Sequence, residues 1–300
     1  MDENIKLGLI FGFLSRSTSV PSIATILKLT STPSTPSTTQ STLASNPTMS
    51  IPSDLSLHGW TPVPLDPASI FLSQPYINKP TPLPISSIPF PSSDPLVHRI
   101  QSYAQSQLPL PTYHHSMRVY YWATTILHQQ FPSHAASLSP STLALTCLLH
   151  DIGTAPGHID ATQLSFEFYG GLKALQLLQH PEPPVAENAT ATQSQAEAVA
   201  EAIIRHQDLG TVGTITFLGQ LIQLATIYDN VGKFPEIIHE ETRVEVNKAF
   251  PRQGWSGCFV AAIKEELERK PWAHSTHLGE EAFVEGVLGN ELMKEYDDWE

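Results

Sequence analysis

The sequence predicts an all-α fold, a helical bundle with an extended, proline-rich N-terminal arm. Three observations predict it. From Asp94 onward the apolar residues recur with the 3.6-residue period of helices. No convincing alternating, strand-like run follows residue 94. The prolines crowd the front, seventeen of 26 lying in residues 1–111. There each one removes a backbone donor and pushes its predecessor out of the helical region.

The chain divides into three stretches. Residues 1–50 hold a short apolar run, Ile5 to Leu14, and then a polar tract. In residues 30–48, twelve of nineteen positions are Ser or Thr. Such a tract buries too little apolar area to offset its ordering entropy, so residues 1–50 are expected to be a disordered or non-native extension. Lys6, Arg16 and Lys28 give it a faint likeness to a mitochondrial presequence, which Asp2 and Glu3 oppose. The plainer expectation makes Met49 the start. Residues 51–93, with Trp60-Thr61-Pro62 and Lys79-Pro80-Thr81-Pro82, read as an extended arm lying over the folded body.

Residues 94–295 read as one helical domain. Asp94-Pro95 is a cap followed by Pro at the first helical position, opening a helix over 96–108. A second spans about 113–131. A third starts at Ser139-Pro140 and ends at Asp151-Ile152-Gly153. A fourth covers about 165–178 and contains Gly170-Gly171. A mid-helix Gly costs about 1 kcal/mol against Ala, so the pair marks the close approach of a neighbouring helix. Further helices fit about 192–206, 214–231, 242–250, 257–269 and 279–288.

Composition excludes several functions. With 16 basic and 29 acidic residues the net charge is −13, which argues against a nucleic-acid partner. No run of 18 apolar residues exists to span a membrane as a helix. Two cysteines make no disulfide framework and point to a reduced, cytoplasmic setting.

The sharpest local feature is His150-Asp151, which closes the apolar run Leu143 to Leu149. An imidazole and a carboxylate side by side at the rim of a core can share one divalent cation. Alone the dipeptide is weak, since most such pairs are solvated turns. His115, early in the second helix, and Asp229, near the end of the apolar sixth, raise its weight. A carboxylate after such a run is either paired or metal-bound.

The ordered set His115, His150-Asp151, Asp229 is similar to the signature of the HD superfamily of metal-dependent hydrolases. Several segments resemble the fungal cyanamide hydratase family more closely. They are His115-Ser116-Met117-Arg118-Val119, Leu148 to Ile152, Ser165 to Gly171, Glu201 to Leu209, Asp229 to Gly232, Phe250-Pro251-Arg252 and Arg269 to His274. Gly59 to Pro64 resembles that family's N-terminal arm, and the likeness runs in order over about residues 57–290. Stretches near 70–90 and 181–192 read as insertions.

The resemblance implies an HD-domain helical bundle. It also implies one divalent metal ion with His115, His150, Asp151 and Asp229 as ligands. Zn2+ is the first choice, with Fe2+ and Mn2+ as alternatives. The activity implied is the hydration of cyanamide, or a related small nitrile, to urea or the amide by a metal-bound hydroxide. The partner is then a small molecule, with self-association left open.

Around this set, Thr154 is placed to hydrogen-bond the metal's water, or is an ordinary loop Thr. His206 shuttles the nitrile proton, or caps its helix. Glu167 is catalytic, or a dipole-stabilised first-turn Glu. Asn230 and His274 are expected at the substrate, and simple packing is the alternative for His274. Cys147 reads as core, and His114 as the wrong histidine for a ligand. An HD-type nucleotide phosphohydrolase is the alternative function, with Arg118, Arg205 and Arg252 as its phosphate-binding patch. A helical binding protein with a degenerate site is a third.

Overall fold

Three helices lie almost wholly inside. The computed structural model describes residues 52–298; the expectations for residues 1–50 lie outside them. In chain order the elements are α1 (Pro52–Leu57), β1 (Pro62–Pro64), α2 (Pro67–Ile70), α3 (Pro95–Gln107), α4 (Leu110–Gln130) and α5 (Pro132–Ala135). Then come α6 (Pro140–Leu149), α7 (Phe166–Gln179), α8 (Gln193–Ile204), β2 (Thr214–Thr216) and α9 (Phe217–Val231). The last are α10 (Glu240–Ala249), α11 (Trp255–Arg269), α12 (Glu280–Leu288) and α13 (Lys294–Asp297). The fold is all-α with one two-stranded ribbon.

Helices α4, α6 and α9 are buried over nearly their whole length. Helices buried on most sides form the centre, and the polar groups that α4 brings there must find partners inside. They pack on one another, with α3, α7, α8 and α11 around them. Capping sets where they begin. Asp94 accepts from the amides of Leu96 and Val97, Ser139 from Thr142 and Thr192 from Gln195. The Gly170-Gly171 expectation holds: a Cβ on Gly171 would stand 2.5 Å from Cγ1 of Ile204, so α7 and α8 meet at backbone distance there.

Two expectations are corrected. The sixth helix does not begin at Thr214, and a strand does occur after residue 94. Thr214–Thr216 forms β2, antiparallel to β1, with Val63 opposite Ile215. Thr216 then becomes the cap of α9, accepting from the Gly219 amide. The proline-rich stretch is fastened by polar contacts. Trp60 donates to Ser194, Leu83 exchanges two hydrogen bonds with Thr242, and the Ile77 and Asn78 amides donate to Gln130. No described helix is long and apolar enough to cross a membrane.

Candidate metal centre

His115 sits in the second turn of α4, and His150-Asp151 follows the last residue of α6. Both helices are core elements, so these polar groups are buried by their supports, and all three are at most 1% exposed. The chain then turns through one 3-10 turn, Ile152–Thr154. Gly153 is required in it, because a Cβ there would lie 2.0 Å from the Phe166 carbonyl. That contact sets the start of α7 against the site.

Three acceptors converge. His115 Nε2 is 3.1 Å from His150 Nε2 and 3.5 Å from Asp151 Oδ2, and His150 Nε2 is 3.2 Å from the same oxygen. Donors sharing one ion at ~2.0–2.2 Å stand about 3.0–3.5 Å apart. Second partners fix the tautomers. His115 Nδ1 donates to Asp229 Oδ2 at 2.7 Å, and His150 Nδ1 donates to the Cys147 carbonyl at 2.8 Å. Both Nε2 atoms therefore aim their lone pairs at one point. Asp151 Oδ2 has no hydrogen-bond partner. Such a gathering of buried acceptors holds one positive charge, a proton or a cation.

The protonation balance agrees. Burial pushes His115 down to about 4, despite Asp229. Burial also acts against a charged His150, but the adjacent Asp151 outweighs it and raises the group. Burial opposes the ionised form of Asp151, but the neighbouring His150 holds it below the ordinary carboxylate range. A divalent ion would take the place of the proton on His150.

The structure brings three of the four expected ligands together and sets Asp229 apart. The clustered donors are His115, His150 and Asp151. Asp229 lies on the other nitrogen of His115, and its carboxylate is fully engaged. Arg118 and Trp122 donate to Oδ1 at 3.0 and 2.9 Å, and Arg118 to Oδ2 at 3.0 Å. Arg252 stands 3.2 Å from Oδ2. Burial opposes the ionised form of Asp229, but Arg118 and Arg252 hold it well below the ordinary range.

The remaining expected residues are distributed around this core. His206 lies at the end of α8 and beside the site. Its Nδ1 caps α8 by donating to the Ile203 carbonyl at 2.7 Å, and its Nε2 lies 3.8 Å from Asp151 Oδ1. Thr154 is beside the site but donates its hydroxyl to the Asp151 carbonyl at 2.8 Å. Glu167 is fully buried in the first turn of α7. It accepts from His274 Nδ1 at 2.7 Å, and His274 Nε2 is 3.5 Å from Asp208. Asn230 accepts from the Trp255 indole at 2.8 Å. Cys147 is core, and His114 faces the Pro251 carbonyl, away from the cluster.

Sequence reasoning missed Trp255. Its ring stacks on His115 at 4.2 Å and 12°, and Phe259 stacks on Trp255 in turn. An aromatic on an amphipathic helix reads as core, and nothing local distinguishes a clamp.

The HD domain family matches residues 112–231, a segment that contains His115, His150, Asp151 and Asp229. Two Saccharomyces cerevisiae proteins, cyanamide hydratase DDI2 and cyanamide hydratase DDI3, are similar to the chain. Each is 39% identical over 237 residues, covering 79% of this chain and 98% of the relative.

Proposed function

The chain belongs to the fungal cyanamide hydratase family of HD-domain proteins, and from that premise we propose that it hydrates cyanamide to urea at the His115–His150–Asp151 centre. The observation that supports this most is the convergence of three buried acceptors with their tautomers locked from behind. Two imidazoles and a carboxylate suit Zn2+, and also Fe2+ or Mn2+. When bound, such an ion supplies a Lewis acid that lowers the pKa of a water towards about 7.

The chain's own residues handle the protons. Burial, with His150 nearby, holds His206 below its ordinary value, so near pH 7 it is a neutral base with Nε2 free. As the C–O bond forms, Nε2 takes a proton from the attacking water. One π bond of the nitrile breaks and its electron pair moves to nitrogen, which receives that proton from His206. A second shift, from oxygen to nitrogen, turns the isourea into urea. Thr154, whose proton is directed to the Asp151 carbonyl, keeps its lone pairs for a water O–H. Asp229, Arg118 and Trp255 fix the His115 ring.

A phosphohydrolase would need cations free to meet phosphate. Arg118 and Arg252 are buried against Asp229, and Arg205 pairs with Asp208 and Glu201. The test is urea release from cyanamide, run beside phosphate release from a nucleotide panel, with and without a chelator. Urea release that stops on chelation is the expected result. Phosphate release without urea would overturn the reading.

A further inference from the structure

Among the described residues, two carboxylate oxygens are buried without a hydrogen-bond partner, Asp151 Oδ2 and Glu167 Oε2. The first belongs to the converging acceptors. The second has no role so far. Leaving a charged acceptor buried and unsatisfied costs more than any other polar group in a core. Glu167 is the second residue of α7, the helix that Gly153 brings against the turn after Asp151. It sits beside Phe166, whose ring edge meets His206 at 5.7 Å, and its charge acts on His206. Its other oxygen is fixed by His274, a ring whose side chain is 29% exposed. The carboxylate is therefore held at one oxygen by His274 and left without a partner at the other.

We propose that Glu167 Oε2 accepts an N–H from the amino end of the substrate, so that the site selects nitriles carrying an N–H donor on the nitrile carbon's substituent. This rests on the hydratase reading. Cyanamide is polar at both ends, with an acceptor nitrile nitrogen and a donor amino group. The nitrile end belongs with His206. The amino end needs an acceptor, and elimination leaves Glu167 among the neighbouring carboxylates. Asp229 is saturated by Arg118, Arg252, Trp122 and His115. Glu266 accepts from the Phe166 amide and from Ser275. Asp208 is held by Arg205 and faces His274. A site built to meet N–H with a buried carboxylate rejects the analogue with methyl in that place, because the acceptor is then left unpaired.

The test compares wild type with Glu167→Gln, whose side chain still accepts from His274 but presents an amide N–H to the substrate. Metal content and melting temperature should be retained. KM for cyanamide should rise about tenfold or more, with kcat changed less, on the scale of a lost charged hydrogen bond. The inhibition constant of acetonitrile, a methyl analogue without the N–H, should not change. An unchanged cyanamide KM overturns the proposal, and so does an equal loss for cyanamide and acetonitrile, which marks a structural role. If Glu167→Gln fails to fold, Glu167→Asp withdraws the same charge by one methylene and must raise KM as well; an unchanged KM there also overturns it. If wild type makes no urea from cyanamide, the hydratase reading falls separately. Calorimetric titration of cyanamide into the two proteins then decides for Glu167, and equal affinity or no binding by either overturns it.

Discussion

At the residue scale, the His206 imidazole makes two contacts. Its Nδ1 satisfies the end of α8 and its Nε2 faces Asp151. His206→Gln should keep the metal, since the residue lies outside the three converging donors. It should lower turnover by ~10²-fold or more, the scale of a general acid or base. Bound metal with near-normal turnover would remove His206 from the chemistry. His274 allows a pH test. The hydrogen bond to Glu167 raises its pKa above 6.5, against the opposing effect of burial. A folded value above the unfolded one means that the pair's contribution is complete below about pH 6.5. It then fades as the pH climbs through the folded value. The melting-temperature difference between wild type and His274→Gln should be larger at pH 5.5 than at pH 9, and a difference that grows with pH would contradict the pairing. Which residues were legible follows from burial. His150-Asp151 stood out because it closes an apolar run, and buried polar groups after such runs need partners. The place of Asp229 was not legible, because a motif gives order along the chain and not which imidazole nitrogen a carboxylate meets.

At the element scale, helix α13 reaches the centre through a relay of charges. Arg252 contacts Asp229 on one side and Asp297 of α13 on the other, at 3.2 and 2.9 Å. Ser256 completes the clasp by donating to Asp297 at 2.6 Å. Two arginines and two aspartates balance, and Asp229 in turn orients His115. Asp297→Asn leaves an excess buried positive charge next to His115, one of the three converging donors. The expected result is metal affinity weaker by ~10-fold or more, the usual scale for losing an outer partner of a metal ligand. Chelator competition well below the melting temperature would measure it, and unchanged affinity would show that α13 serves packing alone. The long helices were legible because caps and period agree over many turns, as at Asp94-Pro95 and Ser139-Pro140. The β1–β2 ribbon was not. Three residues, Thr214–Thr216, are too few to show alternation, and they run straight into an apolar helix. Helix α13 is a single turn held by the buried Tyr296 and by Arg252 and Ser256, contacts 41 to 45 residues away in sequence.

At the scale of the whole molecule, the metal and the fold should be thermodynamically linked. The chain carries a net charge of −13, yet its centre is built from α4, α6 and α9, which admit almost no water. Inside that centre the two Nε2 atoms and Asp151 Oδ2 face one another at 3.1 to 3.5 Å. Without a cation the cluster needs a shared proton, and rising pH removes it. A ligand that binds only the folded state stabilises it by RT ln(1 + [L]/Kd), about 4 kcal/mol at a thousandfold excess over Kd. For a domain of this size that corresponds to a shift of roughly 8–16 °C in melting temperature. Chelation should therefore lower the melting temperature, and more so at pH 8.5 than at pH 6, where a proton can still stand in for the ion on His150. Adding back the divalent ion should restore it. The same cycle on His150→Ala should give no metal-dependent shift, because one of the three converging donors is gone. Equal melting temperatures for metal-loaded and chelated wild-type protein at both pH values would show that the three acceptors hold no ion, and the hydratase mechanism would lose its Lewis acid.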